Sequence, residues 1–263
     1  MRRALSASTA IVTGGAAGIG LATARALRDA GSRVLVVDVD EVPSDAGGVS
    51  LRADVSRPEE WARIAAAAER ELGGIDLAFL NAGVAGVEPE IAAADDDEIH
   101  RVIAVDLLGV VYGVRAVLPS MRRRGGGSIV ATASLAGLIP YPPDPLYAAA
   151  KHGVVGFVRA MAGRLEAEGI TVNAVCPGLT DTAIIPPAAR DELERERYPL
   201  MAPETIAAAV VALLAGSETG EALVCQPGRA AVAYAFRGVP GPASGQAPPS
   251  IVSQLPFAAA TPR

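Results

Sequence analysis

Tyr147 and Lys151 stand four residues apart in the run LYAAAKHG, and Ser134 lies thirteen residues ahead of the tyrosine. A phenol has an ordinary pKa of about 10, so it trades protons poorly at neutral pH unless a nearby cation favours the phenolate. Positions four apart on a helix share a face, which sets the lysine ammonium one turn from the phenol. A Tyr and a Lys at this spacing also occur on ordinary surface helices. What gives the trio weight is a glycine-rich TGGAAGIG, Thr13 to Gly20, near the N-terminus. Together these residues fit redox chemistry with a nicotinamide cofactor.

The glycine run follows an apolar strand and opens a helical stretch, the setting in which such a pattern cradles phosphates. Gly14 suits a tight turn, Gly18 a close approach of backbone to a pyrophosphate, and Gly20 close packing of helix on sheet. Ala17, Gly18 and Ile19 stand where a helix N-terminus offers unpaired N–H groups and partial positive charge. The other reading is a glycine-rich turn with no ligand. The second strand ends VVDVD, which puts Asp38 eighteen residues after Gly20, where a carboxylate can accept hydrogen bonds from ribose hydroxyls or cap a turn. A 2′-phosphate would meet its charge, and no Lys or Arg lies in the loop or just after Asp38, so NAD is favoured over NADP.

These residues need a scaffold, and the chain supplies a pattern for one. Short β-branched runs alternate with alanine-rich stretches of helical period, which predicts a single-domain α/β fold. The expected architecture is a Rossmann-type doubly wound parallel sheet of about seven strands with helices on both faces. The strands are read at Ala10–Thr13, Arg33–Val37, Gly48–Arg52, Ile75–Leu80, Ser128–Thr132, Thr171–Val175 and Glu221–Cys225. Helices are read at about Gly18–Ala30, Pro58–Leu72, Asp95–Arg123, Tyr147–Glu168 and Pro203–Leu214, with Gly73, Gly125 and Gly169 as stops. Residues 1–237 form the expected domain. From Gly238 to Arg263 proline, glycine and small residues prevail, which reads as a flexible tail or, alternatively, an arm that orders on a neighbouring subunit through Ile251, Val252, Leu255 and Phe257.

With the elements in order, the chain resembles the short-chain dehydrogenase/reductase family from about Thr9 to Pro227. The pieces that carry the resemblance are TGGAAGIG, Asp38, ADV with Asp54 and Val55, NAG from Asn81 through Ala82 to Gly83, Ser134, YAAAK, and PGLTDT from Pro177 to Thr182. VCPGLTDTAI, KHGVVGF and the last strand are most similar to the NAD-linked 15-hydroxyprostaglandin dehydrogenase branch. The resemblance implies that Tyr147 is the general acid/base, that Lys151 lowers its pKa and binds the nicotinamide ribose, and that Ser134 orients the substrate oxygen. It also implies Asp54 near the adenine, Asn81 shaping the cleft, and Pro177, Gly178, Thr180 and Thr182 along the nicotinamide, with Thr180 or Thr182 near its carboxamide. The chemistry agrees, since hydride transfer from a carbinol carbon requires its hydroxyl proton to leave too.

One position departs from the family. Where members commonly read VNLLG, with an asparagine supporting a water near the lysine, this chain reads VDLLG with Asp106. A carboxylate there could preserve the relay, or it could compensate the ammonium and move the working pH upward.

Loops after the fifth and sixth strands should form the substrate pocket. They offer Leu135, Leu138, Ile139, Pro140, Tyr141, Leu179, Ile184 and Ile185, which suits a secondary alcohol or ketone on a hydrophobic body. Asp144 could meet a polar substituent or face solvent. Pro186–Met201 reads as a moving lid or a static surface helix. The long helices before and after the fifth strand predict a homotetramer or homodimer. The rival reading is an NAD-binding, redox-responsive or scaffold protein with little catalysis, and a reductase direction or NADP use stays open within the enzyme reading.

Composition sets outer bounds. The 263 residues carry a net charge of −6 from 29 acidic and 23 basic side chains, which argues against general attraction to nucleic acid or anionic membrane. No uninterrupted apolar run of membrane-spanning length stands out, although 51% of residues are apolar. The N-terminus does not read as a signal peptide, Cys176 and Cys225 read as reduced buried thiols, and the expected location is cytoplasmic. Arg122–Arg124 read as a solvated helix end, Trp61 as a packing residue, and Asp95–Asp97 as a helix start; neither histidine suggests a metal site.

Overall fold

Isoleucine, valine and leucine crowd the central strands because both faces of a parallel sheet are covered, and side chains alternate between two cores. In β1 (Thr9–Thr13) all five residues are buried, with Ile11 facing one core and Ala10 and Val12 the other. The computed structural model describes residues 3–86 and 90–238. The remaining strands are β2 (Arg33–Asp38), β3 (Val49–Arg52), β4 (Leu77–Leu80), β5 (Gly127–Thr132), β6 (Ile170–Pro177), β7 (Ala222–Cys225) and β8 (Val232–Ala233). Their order is β3-β2-β1-β4-β5-β6-β7-β8, parallel except for the β7–β8 pair. The order reverses between β1 and β4, and there the carboxyl ends of the strands open a crevice.

The seven expected strands form, and an eighth joins them. No pattern announces β8: two exposed residues have no periodicity to read, and antiparallel pairing with Leu223 and Val224 creates the strand. The helices are α1 (Gly18–Asp29), α2 (Glu60–Leu72), α3 (Asp96–Ile103), α4 (Gly109–Arg123), α5 (Pro145–Leu165), α6 (Pro187–Arg195) and α7 (Pro203–Ala215). Trp61 and Ile64 of α2, Val110, Val114 and Val117 of α4, and Val154, Val155 and Val158 of α5 build one core. Ala24 and Leu27 of α1 with Ile206, Val210 and Leu213 of α7 build the other. Trp61 packs beneath its helix and donates its indole N–H to the Val55 carbonyl at 2.9 Å.

The stretch expected as one helix from Asp95 is broken into α3 and α4 by a π-helical turn at Ala104–Leu108. Asp95 is the N-cap, its carboxylate accepting from the Glu98 N–H at 2.7 Å. Read together, Asp96–Arg123 spans 28 residues with a mean hydropathy of 1.8 over its most apolar window, long and apolar enough to cross a membrane by length and composition. Asp106 falls within every 18-residue span of it, so it is not the uninterrupted apolar run whose absence the sequence predicts. Its buried side, Val110, Val114, Val117 and Met121, packs into the core of the sheet.

Arg122, Arg123 and Arg124 are not a merely solvated end. Arg122 pairs with Glu168 beyond α5 at 2.6 Å, Arg123 with Glu69 of α2 at 2.5 Å, and Arg124 with Asp76 ahead of β4 at 2.6 Å. Gly73 and Gly169 adopt left-handed φ of 80° and 68° where chain direction changes after the helices. Phe236 packs against the α5 side of the sheet, with Arg159 stacked 3.7 Å from its ring centroid. Of the segment read as a tail, only Gly238 falls within the described residues, and Ile251, Val252, Leu255 and Phe257 lie outside them.

Candidate active site

The glycine loop is shaped by close approaches that a side chain would block. A Cβ on Gly20 would come within 1.9 Å of the Gly14 carbonyl oxygen, and one on Gly14 within 2.7 Å of the Ala82 Cα. Gly14 and Gly18 hold φ of +63° and +52°. Ala17 is the N-cap of α1 and supplies no side-chain cap, and the first turn holds no acidic residue. That leaves N–H groups and the positive end of the helix dipole facing the crevice, a setting suited to a phosphate. Gly20 is buried, Ile19 is half-buried, and Ala17 is exposed at the mouth.

Asp38 ends β2 beside this loop, accepting from the Ala16 N–H at 2.9 Å and the Asp40 N–H at 3.1 Å. Its carboxylate therefore fixes the loop while standing at the crevice. Asp54 accepts from the Ser56 N–H and hydroxyl, and with Val39, Ala53 and Arg57 lines an open cavity of about 540 Å³ beside Asp38. Val55 is placed differently: it is buried against Gly109 and holds Trp61 through its carbonyl. Asn81 is a tie between strands. Its amide reaches the Thr13 and Gly14 carbonyls at 3.2 Å, and its oxygen accepts from the Thr132 hydroxyl at 3.0 Å. The Thr13 hydroxyl in turn accepts the N–H groups of Asn81 and Ala82. Thr13 and Thr132 were missed as site residues; each is a threonine ending a buried apolar strand, and that was the available signal.

Beyond β6, Pro177 pairs with Cys225, and the Gly178 N–H donates to the Cys225 carbonyl at 2.9 Å. Thr180 is buried and bridges to Met201, while a Cβ on Gly18 would lie 3.0 Å from the Thr182 methyl. The glycine loop and the loop after β6 thus meet. α6 is held to that loop by Arg190, which donates to the Asp181 carboxylate and the Thr182 carbonyl.

Tyr147 and Lys151 fall on the first turns of α5, which Asp144 caps. One Asp144 oxygen accepts the Tyr147 N–H at 2.9 Å and the other the Gly86 N–H at 2.6 Å. Asp144 is buried, so its carboxylate orients the helix that carries the tyrosine, and it neither faces solvent nor offers a free oxygen to a substrate. The Lys151 ammonium lies 5.3 Å from the Tyr147 ring centroid and donates to the Thr132 carbonyl at 3.1 Å. Asp106, presented by the π turn, stands 2.9 Å from that ammonium, and its second oxygen accepts the Val84 N–H at 2.8 Å. Side-chain exposure of this lysine and aspartate is 2% and 0%. A Cβ on Gly83 would lie 3.3 Å from both charged groups, so Gly83 roofs the pair.

Burial pushes the Tyr147 phenol above its ordinary range; Lys151 and Ser134 pull it down, while Asp106 and Tyr141 push it up. Burial opposes the Lys151 charge, yet Asp106 and Tyr147 together hold the ammonium above the usual lysine range. Ser134 follows β5, and its hydroxyl oxygen accepts the Ala136 N–H at 3.1 Å. Beneath the site, burial pushes the Cys176 thiol up to about 12, so it stays protonated. Leu135 and Leu179 are half-buried in the loops after β5 and β6, and Ile184 and Tyr141 are exposed there. Tyr141 packs edge-on to Tyr147 with centroids 6.4 Å apart.

A doubly wound sheet with a bare helix N-terminus at its switch point and a Tyr–Lys pair beside it defines a dinucleotide-linked oxidoreductase class. Residues 8–193 match the short chain dehydrogenase family, and the chain belongs to it. It is 35% identical over 189 residues to the D-beta-hydroxybutyrate dehydrogenase of Rhizobium meliloti, covering 67% of this chain and 73% of that protein. It is 37% identical over 194 residues to the cis-4-hydroxycyclohexanecarboxylate dehydrogenase of Sinomonas cyclohexanicum, covering 70% and 78%. The crystal structure of levodione reductase superposes with a TM-score of 0.74 at 30% identity, over 80% of this chain and 91% of that one.

Proposed function

We propose that this chain is an NAD-linked oxidoreductase that interconverts a secondary alcohol and a ketone on a hydrophobic small molecule, with Tyr147 moving the hydroxyl proton. The observation that carries this reading is the placement of Tyr147, against Lys151 and near Ser134, at the same end of the sheet as the glycine loop. A bound nicotinamide supplies the hydride acceptor or donor. The chain's own task is the proton: Tyr147 takes it from the alcohol oxygen as the carbonyl forms, or returns it in reduction. Ser134 would hold that oxygen by hydrogen bond. The phosphates fit the bare N-terminus of α1, and the Asp38 carboxylate fits ribose hydroxyls and repels a 2′-phosphate, which supports NAD over NADP.

Leu135, Leu179, Ile184 and Tyr141 support a hydrophobic substrate body, held at a mouth that α6 borders. The likeness of VCPGLTDTAI to the 15-hydroxyprostaglandin dehydrogenase branch adds hydroxy-lipids to the candidates. The relatives named above act, by their names, on a hydroxybutyrate, a hydroxycyclohexanecarboxylate and levodione. Those compounds therefore belong in the assay. The two protonated, buried thiols are consistent with work in the cytoplasm.

The test is NADH formation by the purified protein with a panel of secondary alcohols, and NADH consumption with the matching ketones, alongside NADP and Tyr147→Phe. Turnover with NAD that is lost in the variant is the expected result. Tight NAD binding without turnover across the panel would favour an NAD-responsive binding protein instead.

A further inference from the structure

A buried ammonium beside a phenol ordinarily makes the phenol easier to ionise, because opposite charge favours the phenolate. Here the ammonium is not alone. Asp106 Oδ2 lies 2.9 Å from Lys151 Nζ, both side chains are removed from water, and the other Asp106 oxygen is pinned by the Val84 N–H. Burial pushes the Asp106 carboxyl up, while the Lys151 ammonium and the Val84 N–H pull it back, and Lys151 is the group that stands against Oδ2. The π turn is what aims the carboxylate inward, and π turns inside α-helices recur at functional sites.

We propose that Asp106 is a positioning residue that neutralises Lys151, so that Tyr147 keeps its proton through neutral pH and serves as a base only at alkaline pH. The inference rests on Tyr147 being the proton carrier. The groups facing the phenol are few: Lys151 from α5, Asp106 from the π turn, and Tyr141 and Ser134 from the segments before α5. Asp144 also acts on Asp106, and Cys176 of β6 acts on Lys151. Asp144 is held by two backbone N–H groups and Cys176 stays a neutral thiol, so among these charges only Asp106 directly cancels the lysine. Alcohol oxidation needs the phenolate and should climb only as pH rises into the alkaline range, whereas ketone reduction needs the phenol and should hold through neutral pH and fall over that same alkaline range.

The experiment is a titration of the Tyr147 phenol by ultraviolet difference absorbance in the full chain, with Tyr147→Phe as the blank that removes the other tyrosines. It is paired with the pH dependence of alcohol oxidation. Asp106→Asn keeps an oxygen for the Val84 N–H and removes only the charge. In that variant the phenol midpoint should fall by about one pH unit or more, and the rise of oxidation with pH should move down equally. Asp106→Asn with Lys151→Met removes the whole pair, a change that buried pairs often tolerate, and should leave the midpoint within about half a unit of the parent protein. A midpoint in Asp106→Asn equal to that of the parent would overturn the proposal. So would a shift of about one unit or more in the double variant, which stands as the test if the single variant fails to fold. Persistent turnover in Tyr147→Phe would instead remove the proton-carrier reading on which the inference rests.

Discussion

Tyr147 loses only a hydroxyl in Tyr147→Phe, and the packing of its ring against Tyr141 survives. Turnover should therefore drop by about 10²- to 10⁴-fold, the usual contribution of a positioned acid or base, with little change in thermal stability. Asp38→Asn keeps an oxygen for the Ala16 N–H and removes the charge that, on the function proposed above, would repel a 2′-phosphate. The expected outcome is a fall in the ratio of kcat/KM for NAD over NADP, read by steady-state kinetics with both cofactors. The Tyr–Lys–Ser set could be read in the chain because the first two are neighbours on one helical turn. Asp144 was only half legible: its cap of α5 is a local contact with the Tyr147 N–H, but the Gly86 N–H that occupies its other oxygen lies 58 residues away in sequence. Asp106 was legible as a departure, but its contact with Lys151 depends on a π turn that no periodicity announces.

Asp76 joins three elements. It accepts from the Thr9 N–H and hydroxyl at the start of β1 and from Arg124 at the end of α4, and it leads into β4. Burial works against its charge, yet Arg124 and Thr9 hold the carboxyl below its ordinary range. Because the folded-state pKa is lowered, the stabilisation is present above the unfolded value of about 4 and is lost as pH falls through the folded value. Asp76→Asn should cost about 1–3 kcal/mol in urea unfolding at pH 7, with the difference from the parent narrowing in acid. A constant gap from pH 7 to pH 3 would show that the charge is not responsible. Gly20→Ala is expected to remove dinucleotide binding, since the added carbon meets backbone at 1.9 Å and must displace the loop. Equilibrium binding of NADH by fluorescence would check it. The glycines were readable because their spacing is set by local turns, whereas the acidic partners of Arg122–Arg124 come from three separate elements and were not.

The parallel sheet and its helical layers were legible because alternation of buried runs with amphipathic stretches leaves few other ways to bury both. The eighth strand escaped because pairing, not pattern, makes it. On the molecule's outside, α4 and α5 leave Tyr112, Ala116, Phe157 and Met161 half-buried and Gly156 with open space above it. These faces support assembly through α4 and α5 into a dimer or tetramer, to be checked by light scattering. Gly156→Arg would place a charged chain there and is expected to lower the assembled mass, and an unaltered mass would move the contact elsewhere. The π turn at Ala104–Leu108 carries a longer reach than its five residues. Relative to a regular helix it holds one residue in excess, which turns everything before it by about 100° against everything after it. Removing Val105 would let the two helices run as one rod, with Asp106 facing away from the lysine or α3 swung off its seat. The molecule has a phase error written into its longest helical stretch, and the site depends on its never being corrected.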